Sequence, residues 1–274
     1  MKKGSNVNNR INFLKEKAKN TRLNVVRMLK AYPKGHVGGA FSLIDIITVL
    51  YFDYLDDERG DRFVLSAGHK CLAQYAILAE KGIFPKSILD TYGALDTKLP
   101  GHPDMHKLPG IKANTGALGH GLAIACGMAF SNRLDARDGT EYVALGDGEM
   151  SEGSNWEALS FASHHNLSNL VAILDYNKLQ ISGKVSDIMN IEPIADRVKA
   201  FGWKVYSING HNFSEIIEAL DNAQKETQPT FIIANTIKGK GLVRGAGEAA
   251  CHYWKATPED LDGLEASLQA EGVD

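Results

Sequence analysis

Tyr142-Val143-Ala144-Leu145-Gly146-Asp147-Gly148 is an apolar run of strand length that stops on an aspartate set between two glycines. A second run, Leu170 to Leu174, leads into Asp175-Tyr176-Asn177-Lys178-Leu179, with one helix-length segment between the two. Strands buried on both faces read as near-continuous apolar runs, and an intervening helix makes neighbouring strands parallel. At the end of the first strand, Gly146 allows a tight exit and Asp147 offers an anionic oxygen. Gly148 lets backbone approach a phosphate with no side chain between. Asn177 adds an amide oxygen and Leu179 a backbone carbonyl, and with two diphosphate oxygens and a water they fill the octahedral shell of Mg2+. Each fragment alone is ordinary turn composition. The pair points to a metal-bound diphosphate.

Three further apolar runs, Phe63 to Leu65, Lys204 to Ile208 and Thr230 to Ala234, have strand length. Helical patterns cover Asn12 to Ala31, Ser42 to Phe52, Ala73 to Lys81, Gly119 to Arg133, Asn155 to His164, Ile194 to Phe201 and Ser214 to Gln224, the last with Ser214 as its expected N-cap. The alternation predicts an α/β fold, a doubly wound and mostly parallel sheet with helices on both faces, formed by residues 1–274 as a single domain. Ligands of such sheets bind beyond the carboxyl ends of the strands, where both motifs fall.

At 274 residues, 44% hydrophobic and 23% charged, the chain has the composition of a globular protein. A net charge of −3 gives no electrostatic reason to expect nucleic acid or an anionic membrane as partner. Lys2 and Lys3 precede polar residues rather than an apolar signal segment, and no apolar run approaches bilayer length, so the expected location is the cytoplasm. Cys71, Cys126 and Cys251 are too few and too dispersed for a disulfide framework or a zinc site.

Gly148-Glu149-Met150-Ser151-Glu152-Gly153-Ser154-Asn155-Trp156-Glu157-Ala158, together with the motif running from Gly146 to Asn177, resembles the diphosphate-binding part of transketolases. The likeness extends from about Lys30 to Gly241. It implies the thiamine diphosphate-binding fold, thiamine diphosphate with Mg2+ (or Ca2+ or Mn2+) as cofactors, and transfer of a two-carbon ketol unit from a ketose to an aldose. Carried over residue by residue, the resemblance implies cofactor contacts at His69, Gly116, Leu118, Gly146, Asp147, Gly148, Glu152 and Asn177, and metal ligation by Asp147, Asn177 and Leu179.

His36, His69 and His102 each lie beside glycine, and imidazole is the side chain best suited to exchange protons near neutral pH. By resemblance, the catalytic histidines are His36 and His102, which hydrogen-bond the sugar near the reacting carbon, His69, near the diphosphate and the substrate channel, and His252, the candidate for a further active-site histidine. Thr115-Gly116-Ala117-Leu118-Gly119-His120-Gly121 opens a helix of small residues, where glycines bring backbone N–H groups to a phosphate or serve close helix packing. Glu152 is implied to act across an interface between subunits, against the simpler use of favouring the start of the following helix. Lys238-Gly239-Lys240-Gly241 either neutralises phosphate or is a solvated basic turn. Gly245-Ala246-Gly247-Glu248-Ala249-Ala250 lacks the strand-turn-helix context of a dinucleotide fingerprint. The chain departs from the family pattern at Val37, where proline is usual and whose loop is expected to be less constrained. It departs also at Lys70, where many relatives carry a small residue, and at His120, where glutamine is frequent.

In whole transketolases the glutamate that activates the cofactor belongs to a pyrimidine-binding domain, and this sequence is too short to contain one. The resemblance therefore implies the N-terminal subunit of a split enzyme, completed by a C-terminal subunit in a heterotetramer (an α2β2 assembly), with a sugar phosphate or sulfonate as substrate. The polar start and the tail Glu271-Gly272-Val273-Asp274 read as natural ends, a truncated chain being the rival. The other readings are a related synthase of the 1-deoxyxylulose-phosphate or dihydroxyacetone type, and a non-catalytic regulatory subunit.

Overall fold

The computed structural model describes residues 7–270, so the polar start and the Glu271–Asp274 tail lie outside the described residues. In chain order the elements are α1 (Val7–Ala31), β1 (Lys34–Gly35), α2 (Val37–Val49), β2 (Arg62–Leu65), α3 (Cys71–Glu80), α4 (Gly121–Leu134), β3 (Glu141–Gly146), α5 (Gly153–His164) and β4 (Leu170–Tyr176). They continue with α6 (Val185–Ile188), α7 (Ile194–Ala200), β5 (Lys204–Asn209), α8 (Phe213–Ala223), β6 (Thr230–Asn235), β7 (Trp254–Lys255) and α9 (Pro258–Ala270). Five strands form one parallel sheet in the order β2-β3-β4-β6-β5, as the apolar runs predict.

Successive strand residues point to opposite faces, and the core divides accordingly. Tyr142, Ala144, Val171 and Ile173 pack with α1, α2, α3, α8 and α9. Val143, Leu145, Leu170, Ala172 and Leu174 pack with α4, α5 and α7 on the other face. Gly146 pairs with Asp175 in register, so the two motifs end next to one another.

Several expectations need correction. The helix expected from Ser42 begins at Val37, because Gly38 and Gly39 are helical: a Cβ on Gly38 would stand 2.5 Å from the Cys251 sulfur, and one on Gly39 would meet the Lys70 stem at 3.1 Å. Val37 is therefore not in a loosely constrained loop. It is the first residue of α2, fully buried, at a position where proline is equally at home. α4 begins at Gly121 rather than Gly119, whose φ of +81° takes it out of the helix. The N-cap of α8 is Asn212, not Ser214: the Asn212 side-chain oxygen accepts from the backbone N–H groups of Ser214 and Glu215. α9 and the antiparallel ribbon of β1 with β7 have no counterpart in the sequence reading.

The stretch Val37–Tyr54, in which α2 continues through a π-helical turn, is long and apolar enough by length and composition to cross a membrane, contrary to expectation. It is 89% buried inside the protein, packed by α1, α3 and α8, as befits the central helix of a core.

Candidate active site

The loops that leave the carboxyl ends of β2, β3, β4 and β6 converge on one cleft of about 250 Å3. After β3, the carboxylate of Asp147 accepts from the N–H of Gly148 at 2.8 Å and from the N–H of Lys178 at 2.6 Å, which ties the two strand ends together. Lys178 takes a left-handed φ of +65°, turning the chain sharply after β4. Beside it, the Asn177 side-chain oxygen accepts from the N–H of Leu179 at 3.1 Å. Asp147 and Asn177 are both buried. Burial pushes the Asp147 carboxyl up to about 6, against the opposing charge of Lys70.

His69, Gly116, Leu118, Gly146, Asp147, Gly148, Asn177 and Leu179 all line this cleft, with His36 and His252 at one side. Glu152 does not. It is exposed, at the N-cap of α5 without a side-chain capping bond, and lies outside the cleft lining. The buried carboxylate of the motif is Glu149, which sequence reasoning passed over: it accepts from Ser66, from the N–H of Gly119 at 3.0 Å and from the N–H of Gly146 at 3.1 Å.

Four histidines close the wall between this cleft and a second cavity of about 490 Å3 lined by Tyr32, Tyr92, His102, Lys107 and Tyr253. Ring centroids separate His36 from His69 by 5.4 Å, from His102 by 6.3 Å and from His252 by 5.2 Å. His69 and His252 are 5.4 Å apart. His36 is the N-cap of α2 and His69 sits in the turn before α3, while the segment leading into β7 brings His252 against both and Tyr253 against His36. Gly116, at φ +144°, is required here, since a Cβ would stand 2.8 Å from the His102 ring. Burial lowers the basicity of His36, of His69 to about 2 and of His252 to about 4, with Lys70 and Lys238 contributing, so these imidazoles are neutral at neutral pH.

Lys238 is not in a solvated basic turn, and Lys70, at the position where many relatives carry a small residue, is enclosed with it. Both are buried and line the cleft. Lys70 pairs with the fully buried Asp175 at 2.7 Å, and Lys238 donates to the carbonyls of Leu179 at 3.2 Å and Gln180 at 3.0 Å. His120 is exposed and turned to the carbonyls of Ala117 and Leu118, a local turn contact outside the cleft. Among the described residues no three His, Cys, Asp or Glu side chains gather to hold a metal by themselves. A cation here needs oxygens from a bound ligand, and the donors present, carboxylate, amide and carbonyl, are the hard oxygens that Mg2+ prefers.

Residues 14–269 match the family described as transketolase, thiamine diphosphate binding domain. The chain belongs to that family. It is 43% identical over 247 residues to the 6-deoxy-6-sulfo-D-fructose transketolase subunit of Clostridium sp. (strain MSTE9), covering 87% of this chain and 90% of that protein. It is 38% identical over 262 residues to an apulose-4-phosphate transketolase subunit of Phocaeicola vulgatus, covering 92% of each. A transketolase from Campylobacter jejuni superposes with a TM-score of 0.86 at 32% identity, over 95% of this chain and 44% of that one. The chain thus spans less than half the length of that solved transketolase. Thiamine diphosphate is the cofactor of this transketolase-type transferase. The glycine-lined cleft, with its oxygen donors at adjoining strand ends, fits the diphosphate of that cofactor.

Proposed function

We propose that this chain is the diphosphate-binding subunit of a two-subunit transketolase, moving a two-carbon ketol unit from an anionic ketose to an aldose with thiamine diphosphate and Mg2+. The observation that carries the reading is the shared wall: neutral histidines divide an oxygen- and glycine-lined cleft from a cavity large enough for a sugar. When bound, the cofactor supplies the electron sink for breaking the carbon–carbon bond beside the ketose carbonyl.

The chain's own residues hold and orient. Asp147, Asn177 and the Leu179 carbonyl ligate the metal, and Gly148 and Gly116 admit backbone close to the phosphates. A neutral imidazole donates from one nitrogen and accepts at the other, so His36, His69 and His252 grip sugar hydroxyls and pass a proton between them. His102, exposed in the second cavity, meets the more distant part of the sugar.

A separate polypeptide supplies the pyrimidine-binding domain, in a heterotetramer located in the cytoplasm. The relatives named as transketolase subunits support this division, as do the exposed apolar side chains of Ile181, Met189, Ile237 and Tyr253. Those two relatives are named for a sulfo-sugar and a sugar phosphate, so the substrate class inferred here is a ketose with an anionic end. The intact histidine cluster favours a catalytic over a regulatory subunit.

The test is ketol transfer from a ketose phosphate or a sulfoketose by the full chain combined with a pyrimidine-binding subunit from the same organism. Activity should require both polypeptides and thiamine diphosphate, and Asp147→Ala should abolish it. Undiminished activity of Asp147→Ala would refute the assignment of the site.

A further inference from the structure

We propose that Lys70 is a second cation for the cofactor's diphosphate, carrying affinity that would otherwise rest on the metal alone. This rests on the reading of the cleft as a thiamine diphosphate site and adds a residue to it. Lys70 is only 3% exposed, yet it lines the cleft. Its ammonium stands 3.5 Å from where a Cβ on Gly146 would lie, and its stem 3.1 Å from the equivalent point on Gly39, so two glycines make the room it occupies.

An ammonium has three hydrogens to donate. Lys70 spends one on Asp175, at 2.7 Å. Asp175 also accepts from the hydroxyls of Ser42, at 2.6 Å, and Thr236, while Lys70 is its charge partner. The other cleft-lining ammonium, Lys238, donates to two backbone carbonyls, those of Leu179 and Gln180. Of the two cleft-lining ammonium groups Lys70 therefore has more donors to spare, two against one, and it is set among Asp147, Glu149, His69 and His252, each of which feels its charge. A buried lysine–aspartate pair brings little net stability, since desolvating both charges offsets their attraction. An anionic ligand beside it changes that balance: the pair becomes a charge-assisted donor anchored from below by Asp175.

The experiment is calorimetric titration of thiamine diphosphate into the full chain, in complex with its partner subunit, with Mg2+ and again in EDTA. The variants are Lys70→Met, Asp175→Asn and the two combined, with melting curves alongside. Lys70→Met should bind roughly ten- to a hundredfold more weakly in Mg2+, the range for loss of one charged hydrogen-bond partner. In EDTA the unmodified complex should keep measurable affinity that the variant lacks. Because Lys70→Met strands Asp175, the double variant supplies the same comparison without an unpaired buried charge and should show the same loss. Asp175→Asn, which keeps the ammonium, should bind within a few-fold of the original. Equal affinity in the original, Lys70→Met and the double variant would overturn the inference while leaving the cofactor site intact. Failure of the unmodified complex to bind thiamine diphosphate with Mg2+ would overturn the reading of the cleft itself, and the inference with it.

Discussion

The imidazoles of His36 and His252 stand edge to face with centroids 5.2 Å apart, although the first caps α2 and the second lies just before β7. Both face the wall between the two cavities, and burial keeps both neutral. Replacing either with alanine should lower kcat/KM by about 10²–10⁴, the usual worth of a positioned proton-transfer group. The affinity for thiamine diphosphate should change little. Steady-state kinetics with calorimetry separates the two; a loss of cofactor binding as large as the loss of rate would mean that these rings hold the cofactor rather than the sugar.

Stability should fall in two steps on acidification. His69 and His252 resist protonation when folded, to about 2 and about 4, whereas an unfolded histidine takes up a proton near pH 6.5. Below about pH 6.5 the unfolded chain therefore binds more protons and stability declines with pH, the His252 share down to about pH 4 and the His69 share on to about 2. Asp45 acts lower down. Burial alone would raise its carboxyl, but the charge of Arg22 and hydrogen bonds from His211 and Arg22 bring it to about 2. Its contribution is present above the ordinary carboxylate range near 3.9 and is lost as pH falls through about 2. Urea titrations at a series of pH values should show His252→Gln flattening the upper step and Asp45→Asn the lower one. Stability that is constant from pH 7 to 4 would contradict the buried, neutral histidine cluster.

Glu149 joins three segments through one carboxylate. Glu149→Ala leaves the N–H groups of Gly119 and Gly146 and the hydroxyl of Ser66 without that acceptor. At about 1–3 kcal/mol for each buried group left unsatisfied, with water recovering part, a loss of about 2–4 kcal/mol is expected in chemical denaturation. Glu152→Ala, at an exposed residue without a capping bond, should cost the isolated chain less than about 0.5 kcal/mol. Similar costs for the two would contradict the buried, bridging role of Glu149.

Gly38→Ala and Gly127→Ala should act in opposite directions. A Cβ at Gly38 falls 2.5 Å from the Cys251 sulfur and 2.6 Å from its carbonyl oxygen, next door to His252, whereas one at Gly127 meets nothing within 4 Å. Overpacking at the first should cost about 1–3 kcal/mol and displace His252, with a fall in kcat. In the isolated chain the second should gain about 0.5–1 kcal/mol from helix propensity. Melting curves of both variants, with kinetics for Gly38→Ala, check the pair.

The sheet was legible because it is buried on both faces: Leu170 to Leu174 has no polar interruption, and such a run leaves few alternatives to a central parallel strand. The meeting of Asp147 and Asn177 in one cleft was legible because both sit where apolar strands end. Burial was not. Glu149 and Glu152 stand in the same motif, and nothing local says that one is enclosed by the amides of two other segments while the other faces solvent. Gly38 and Gly39 read as loop because the atoms that demand glycine there belong to Cys251 and Lys70, distant in sequence. Asn212 and Ser214 are both good capping residues, and only the backbone geometry chose between them. Lys238 could be read as part of a solvated basic turn because its partners, the Leu179 and Gln180 carbonyls, come from elsewhere in the fold, and the surroundings of Lys70 were hidden because Asp175 is distant in sequence.

The ribbon in which Gly35 pairs with Trp254 and Lys34 with Lys255 has a consequence for how the subunit is made. A ribosome delivers His36 and His69 early, and domains begin to fold from the leading end during synthesis. The segment leading into β7, which brings His252 against those rings, emerges only after all five strands of the sheet. A nascent chain can thus hold most of its cofactor cleft while its proton-handling wall is still missing a side. Within this chain the histidine cluster is complete only once the segment leading into β7 has emerged.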